Sequence, residues 1–121
     1  MKIKSFEEIE AWKRARTLTQ SIYKITSNGN FSKDWALRDQ IRRASSSVMS
    51  NIAEGFDSGT KAEFARFLNI ARRSASEVQS QLYIAKDQSY IDHEQFSVIY
   101  KEIEEIRKMI TGFIKYLRSL A

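Results

Sequence analysis

A single histidine, His93, and the complete absence of cysteine limit the metal and nucleophilic chemistry open to this chain. Without thiolates or a second imidazole, a metal site would rest on carboxylates, which suits magnesium or manganese but needs a pattern not found here. The Glu-x-x-His pairs that hold di-iron centres in helical bundles are missing. So are Gly-x-Gly-x-x-Gly and the Gly-x-x-x-x-Gly-Lys loop that cradles phosphates. Glu102, Glu104 and Glu105 gather three carboxylates, but Arg107 and Lys108 stand at helical spacing to pair with them. The chain is expected to be no enzyme and to need no cofactor or metal.

Two other sets of residues could act by binding. Asn51 and Glu54 flank an apolar stripe of Leu37, Ile41, Ala44, Val48 and Ile52, and Ser74, Glu77 and Gln81 flank the next one. Such groups either satisfy each other as a polar layer that fixes helix register, or bind a small polar ligand. The polar layer is the favoured reading.

The second set is basic. The net charge is +5 with a pI near 9.6, which suits a polyanionic partner. Residues 1–31 hold six Lys and Arg against three Asp and Glu, residues 60–91 hold five against three, and the remaining quarters balance. Lys13, Arg16 and Lys24 line one side of the first predicted helix, Arg42 and Arg43 splay from the second, and Arg66 and Arg73 stand seven apart on the third. Lys101, Lys108 and Lys115 recur every seven residues on the fourth. Cations so spaced can follow the phosphates of RNA or DNA without reading bases. The alternative is a set of solvated helix faces.

The elements that carry these residues follow from hydrophobic spacing. There is no proline and there are four glycines, so little interrupts a helix. Steps of three and four predict helices over about 6–27, 33–55, 61–87 and 93–119. Capping boxes are expected at Ser5/Glu8, Thr60/Glu63 and Asp92/Gln95, with Ser32 or Asp34 capping the second helix and Gly55 closing it. Phe6 and Ile9 fall off the first stripe, so either the first turn packs differently or these residues meet a second subunit. Connectors this short force neighbouring helices to run antiparallel. The expected fold is one all-α domain, an up-down-up-down antiparallel four-helix bundle.

No run of about 18 apolar residues could span a membrane. The N-terminus lacks the apolar segment and cleavage site of a signal peptide. The expected location is the cytoplasm. Ser46, Ser50 and Ala53 give the second helix a narrow outer face where long charged side chains would normally stand. With Ile70 and Ile84 off the third helix's main stripe, this face predicts a subunit interface in a homo-oligomer.

The stretch QIRRASSSVMSNIAEG, residues 40–55, closely resembles the signature of the four-helix-bundle proteins encoded in intervening sequences of bacterial 23S rRNA genes. The likeness extends through Trp12 and Ala15, Glu63-Phe64, Phe67-Leu68, Ala71, Ser74, Glu77 and Gln81-Leu82. Met49 stands where members usually have proline, and Arg73 where many have glycine. The resemblance implies a bundle that assembles into a ring, a pentamer first among the choices. It also implies a relationship to the accessory protein of diversity-generating retroelements, which binds nucleic acid and partners a reverse transcriptase. A reverse transcriptase or another protein is therefore a further candidate partner.

Overall fold

The computed structural model describes residues 2–120. Four helices make up the fold: α1 (Glu10–Ile25), α2 (Trp35–Asp57), α3 (Lys61–Asp87) and α4 (His93–Ser119). They form an antiparallel bundle in which α2 packs on α1 and α3, and α4 closes the square against α3 and α1. The α2–α3 seam is the most extensive and the α1–α4 seam the least.

The first helix begins later than its spacing suggests. Ser5 is extended and makes no side-chain cap. Glu8 turns its carboxylate to the Lys4 N–H, 3.2 Å away, instead of completing a capping box. A separate turn of 3₁₀ helix (Phe6–Glu8) precedes an extended Ile9, and only then does α1 start. This break lets Ile9 enter the core at 2% exposure. Phe6 meets Trp12 edge-on, with ring centres 5.1 Å apart. The irregular start is thus a packing device within one chain.

The other starts follow their local chemistry. Asp34 Oδ1 accepts the Leu37 N–H at the head of α2, and Thr60 Oγ1 accepts from Glu63 N–H at the head of α3. The second half of the expected Thr60/Glu63 box is replaced by an ion pair, because the Glu63 carboxylate holds Arg66 through two bonds. At the head of α4, Asp92 and Gln95 complete a reciprocal box. α1 ends at Ile25, and Gly29, whose φ of 62° suits glycine, opens a short 3₁₀ helix (Gly29–Lys33) in the connector to α2.

Gly55 does not close α2. The helix continues through it to Asp57, and Gly55 is buried against α3. A Cβ here would lie 2.8 Å from Phe67 Cβ and 2.9 Å from Phe64 Cδ1. The glycine therefore serves the close approach of two helices rather than a turn.

Between the helices lies one continuous core. Along α3 small side chains, Ala65, Ala71, Ala75 and Ala85, alternate with Phe64, Leu68, Val78 and Leu82. Along α4 it is built from Ile99, Ile103, Ile106, Ile110 and Ile114. Ile103, Ile106 and Ile110 are wholly buried, each contributing about 1.5–3 kcal/mol of burial energy. In α4 the last core isoleucine is Ile114, and Phe113 packs at the margin of the core.

Candidate nucleic-acid interface

The seven basic residues expected to meet phosphate divide into two groups. Lys13, Arg16, Lys24, Arg43 and Arg73 are exposed, and none belongs to an ion pair among the described residues. Lys101, Lys108 and Lys115 on α4 are exposed as well.

Arg42 and Arg66 are engaged within the fold. Arg42 reaches from α2 to the end of α1, where its Nε donates to Thr26 Oγ1 at 2.8 Å and its Nη2 to Ser27 Oγ at 3.3 Å. Its guanidinium lies 4.5 Å from the centre of the Tyr23 ring. Arg66 forks onto Glu63 at 3.0 and 3.1 Å and covers Phe67. That fork holds the Glu63 carboxyl below its usual range and the Arg66 guanidinium above its own.

The residues read as a polar layer resolve into two small networks. Ser47 Oγ and Ser74 Oγ stand 2.9 Å apart across the α2–α3 seam. Asn51 Nδ2 donates to Ser47 O at 2.8 Å and to Ser47 Oγ at 3.0 Å. Further along α3, Gln81 Nε2 donates to Glu77 at 3.2 Å, while Gln81 Oε1 is buried with no partner. Glu54 is exposed and lies outside both networks.

A third network lies between α3 and α4, where Gln79 joins the Glu104–Arg107 pair that helical spacing predicts. Gln79 Nε2 and Arg107 Nη1 both donate to Glu104 Oε1, at 3.2 and 2.6 Å. These bonds hold the Glu104 carboxyl below its usual range, Gln79 first and Arg107 second. Glu102 goes the other way: burial raises its pKa, and Arg14 offsets this only in part. Gln79 follows Ala75 by four positions and so sits at core spacing, which is the signal that could have exposed it.

The residues assigned to a subunit seam do not share one surface. Ser46 and Ala53 follow Arg42 by four and eleven positions, so they lie on the side of α2 that faces α1. Ser50 is exposed on α2 and Ile84 on α3, while Ile70, four positions before Ser74, is half-buried beside the α2–α3 seam. Ile84 is 45% exposed. Tyr23, Lys24, Thr17, Gln20, Ser21 and Ser27 line a shallow groove on α1.

No group of His, Cys, Asp or Glu among the described residues is placed to hold a metal ion. Among the same residues, no helix is long and apolar enough to cross a membrane. What the fold and its surface define is a helical bundle with polar seams and exposed basic outer faces. The model of the 23S rRNA-intervening sequence protein family matches residues 7–112. The chain belongs to that family. No curated protein matches it. Its fold is similar to the crystal structure of a protein of unknown function from the S23 ribosomal protein family of Bacteroides thetaiotaomicron. The TM-score is 0.80 at 29% identity, over 87% of this chain and 95% of that one.

Proposed function

We propose that this protein is a non-enzymatic, self-assembling bundle that works in the cytoplasm and binds RNA or DNA backbone through its basic helix faces. The observation that carries the reading is the state of the cations. Lys13, Arg16, Lys24, Arg43 and Arg73 are exposed and outside the ion pairs of the fold, so binding phosphate would not require breaking one. Counterion release from the nucleic acid would supply most of the affinity, with little sequence preference. Arg42 and Arg66, already held by Thr26, Ser27 and Glu63, shape the face rather than lead the contact.

Self-assembly draws on a match of level between two different surfaces. The Ser47–Ser74 pair and the packing of Gly55 on Phe67 set the register of α2 on α3. That register puts Ser50 of α2 at the level of Ile70 of α3, and Arg43 at the level of Glu77. A recessed serine on one copy would receive the isoleucine of the next, with Arg43 near Glu77. Contacts between unlike faces close into a ring where the rotation between copies closes, and a pentamer is the ring proposed.

Fluorescence anisotropy with labelled RNA and labelled duplex DNA, across about 50–200 mM salt, tests the binding. Tight binding at low salt with a steep salt slope is expected; no binding at the lowest salt would remove the reading. Light scattering tests assembly. Ser50→Arg is expected to reduce the mass of the particle, and an unchanged mass would exclude this seam.

A second reading, an adaptor that recruits a protein such as a reverse transcriptase, draws on the apolar surface. Of six large exposed apolar or aromatic residues among the described ones, Tyr23, Trp35, Tyr83, Ile84 and Val98 lie near one end of the bundle and Tyr116 near the other. Trp35 is 70% exposed.

A further inference from the structure

From Ala11 to Lys33 the chain contains no Asp or Glu, while Lys13, Arg14, Arg16, Lys24 and Lys33 fall within it. The outer side of α1 therefore presents a positive field from Lys13, Arg16 and Lys24, while half-buried Arg14 lies near Glu102 of α4. Set into that field are two aromatic rings, each beside a guanidinium. Arg16 stands 6.0 Å from the centre of the Trp12 ring, and Arg42 stands 4.5 Å from the centre of Tyr23. Trp12 and Tyr23 are eleven residues apart on one side of α1, about 16 Å along the axis.

The two rings differ in what they can still bind. Trp12 is half-buried and already meets Phe6 edge-on. Tyr23 is 46% exposed. Arg42, fixed by Thr26 and Ser27, covers Tyr23 from one side. Beside the ring lies the α1 groove, where Lys24 joins the hydroxyls of Thr17, Ser21 and Ser27 and the amide of Gln20. That lining has one cation and several hydrogen-bonding groups and no carboxylate.

Phosphates alone would be served by lysines. An exposed ring backed by a fixed guanidinium adds a flat surface on which an unpaired base can stack, whatever its identity. Bases in a duplex are stacked on each other and present only their edges, so a duplex gains nothing from such a ring. We infer that the face of α1 around Tyr23 takes single-stranded RNA or DNA, with a base stacked on Tyr23 and flanking phosphates on Arg16 and Lys24. This inference rests on the nucleic-acid reading and narrows it to unpaired strands.

The test compares three labelled ligands of equal length at one salt concentration: a single strand, the same strand with abasic sites throughout, and its duplex. The abasic strand keeps the phosphates and lacks the bases. The intact strand is expected to bind at least about five-fold tighter than the abasic one, the lower end of one stacked base. It should also bind tighter than the duplex. Tyr23→Leu should erase the difference between intact and abasic strands, and Tyr23→Phe should keep it. Equal binding of intact and abasic strands, or duplex binding as tight as the single strand, would overturn the stacking inference and leave electrostatic binding in place. Failure of all three to bind would overturn both. The ligand comparison on the unaltered protein stands even where Tyr23→Leu disturbs folding.

Discussion

Tyr90 and Asp34, 56 residues apart, join the two connectors at one end of the bundle: the phenol donates to Asp34 Oδ2 at 2.9 Å. The other oxygen of the same carboxylate caps α2 through Leu37 N–H at 3.1 Å. Phe31 stacks on the Tyr90 ring, 5.2 Å between centres, so the junction is apolar on one side and charge-assisted on the other. Asp34→Ala should cost about 1 kcal/mol or more through the lost cap. The phenol's pKa is raised, first by its bond to Asp34 and then by burial. A raised pKa means that its stabilisation is complete below the unfolded value of about 10 and is lost as pH climbs through the folded value. Denaturant unfolding across pH should therefore show Tyr90→Phe less stable than the parent below about pH 10, with the gap closing above it.

The glycines of α2 and α4 should respond to alanine with opposite signs. Gly55→Ala places a methyl within 3 Å of two phenylalanine side chains. The strain, about 1–3 kcal/mol, outweighs the usual helical gain of somewhat under 1 kcal/mol, so stability falls. Gly112 is exposed inside α4, and a Cβ added there would meet nothing within 4 Å. Gly112→Ala should raise stability by about 0.5–1 kcal/mol in the same measurement.

Gln81 is 6% exposed and leaves its carbonyl oxygen buried without a partner. Gln81→Met keeps the length of the side chain and removes the orphaned acceptor. Thermal and denaturant unfolding should show a gain of about 1 kcal/mol, because a buried unpaired acceptor carries a desolvation penalty of that order. A loss of stability would mean that the Gln81–Glu77 bond outweighs the orphaned oxygen.

The two groups of arginines and lysines should separate in mutagenesis. Reversing Lys13 and Arg16 to glutamate should weaken nucleic-acid binding and flatten the logarithmic salt slope by about 2, near one per lost phosphate contact. Unfolding stability should barely change, since both are exposed. Arg42→Gln should act chiefly on stability, costing about 1–2 kcal/mol through its bonds to the α1 terminus and its contact with Tyr23.

The fold and most helix ends are legible in the sequence because they depend on neighbours within a turn or two. Apolar steps of three and four placed Leu37, Ile41, Ala44, Val48 and Ile52 on one face of the second helix, where they are buried. Asp34, Thr60 and Asp92 cap the helices they precede. Local pattern misled at Ser5, where the burial of Ile9 won over a capping box, and at Gly55, where a facing phenylalanine rather than a turn demands glycine. Both depend on distant residues.

Charge is the clearest case of what tertiary structure alone decided. In the sequence, Arg42 and Arg43 are adjacent and chemically identical. In the fold, a rotation of about 100° between them puts Arg42 on Thr26, Ser27 and Tyr23 and leaves Arg43 in solvent. Likewise Gln79, Glu104 and Arg107 become one network only because α3 and α4 meet there. Residue type and period determine which side of a helix is apolar. Which polar groups are spent inside the molecule, and which stay available to a partner, depends on what the neighbouring helix places opposite them.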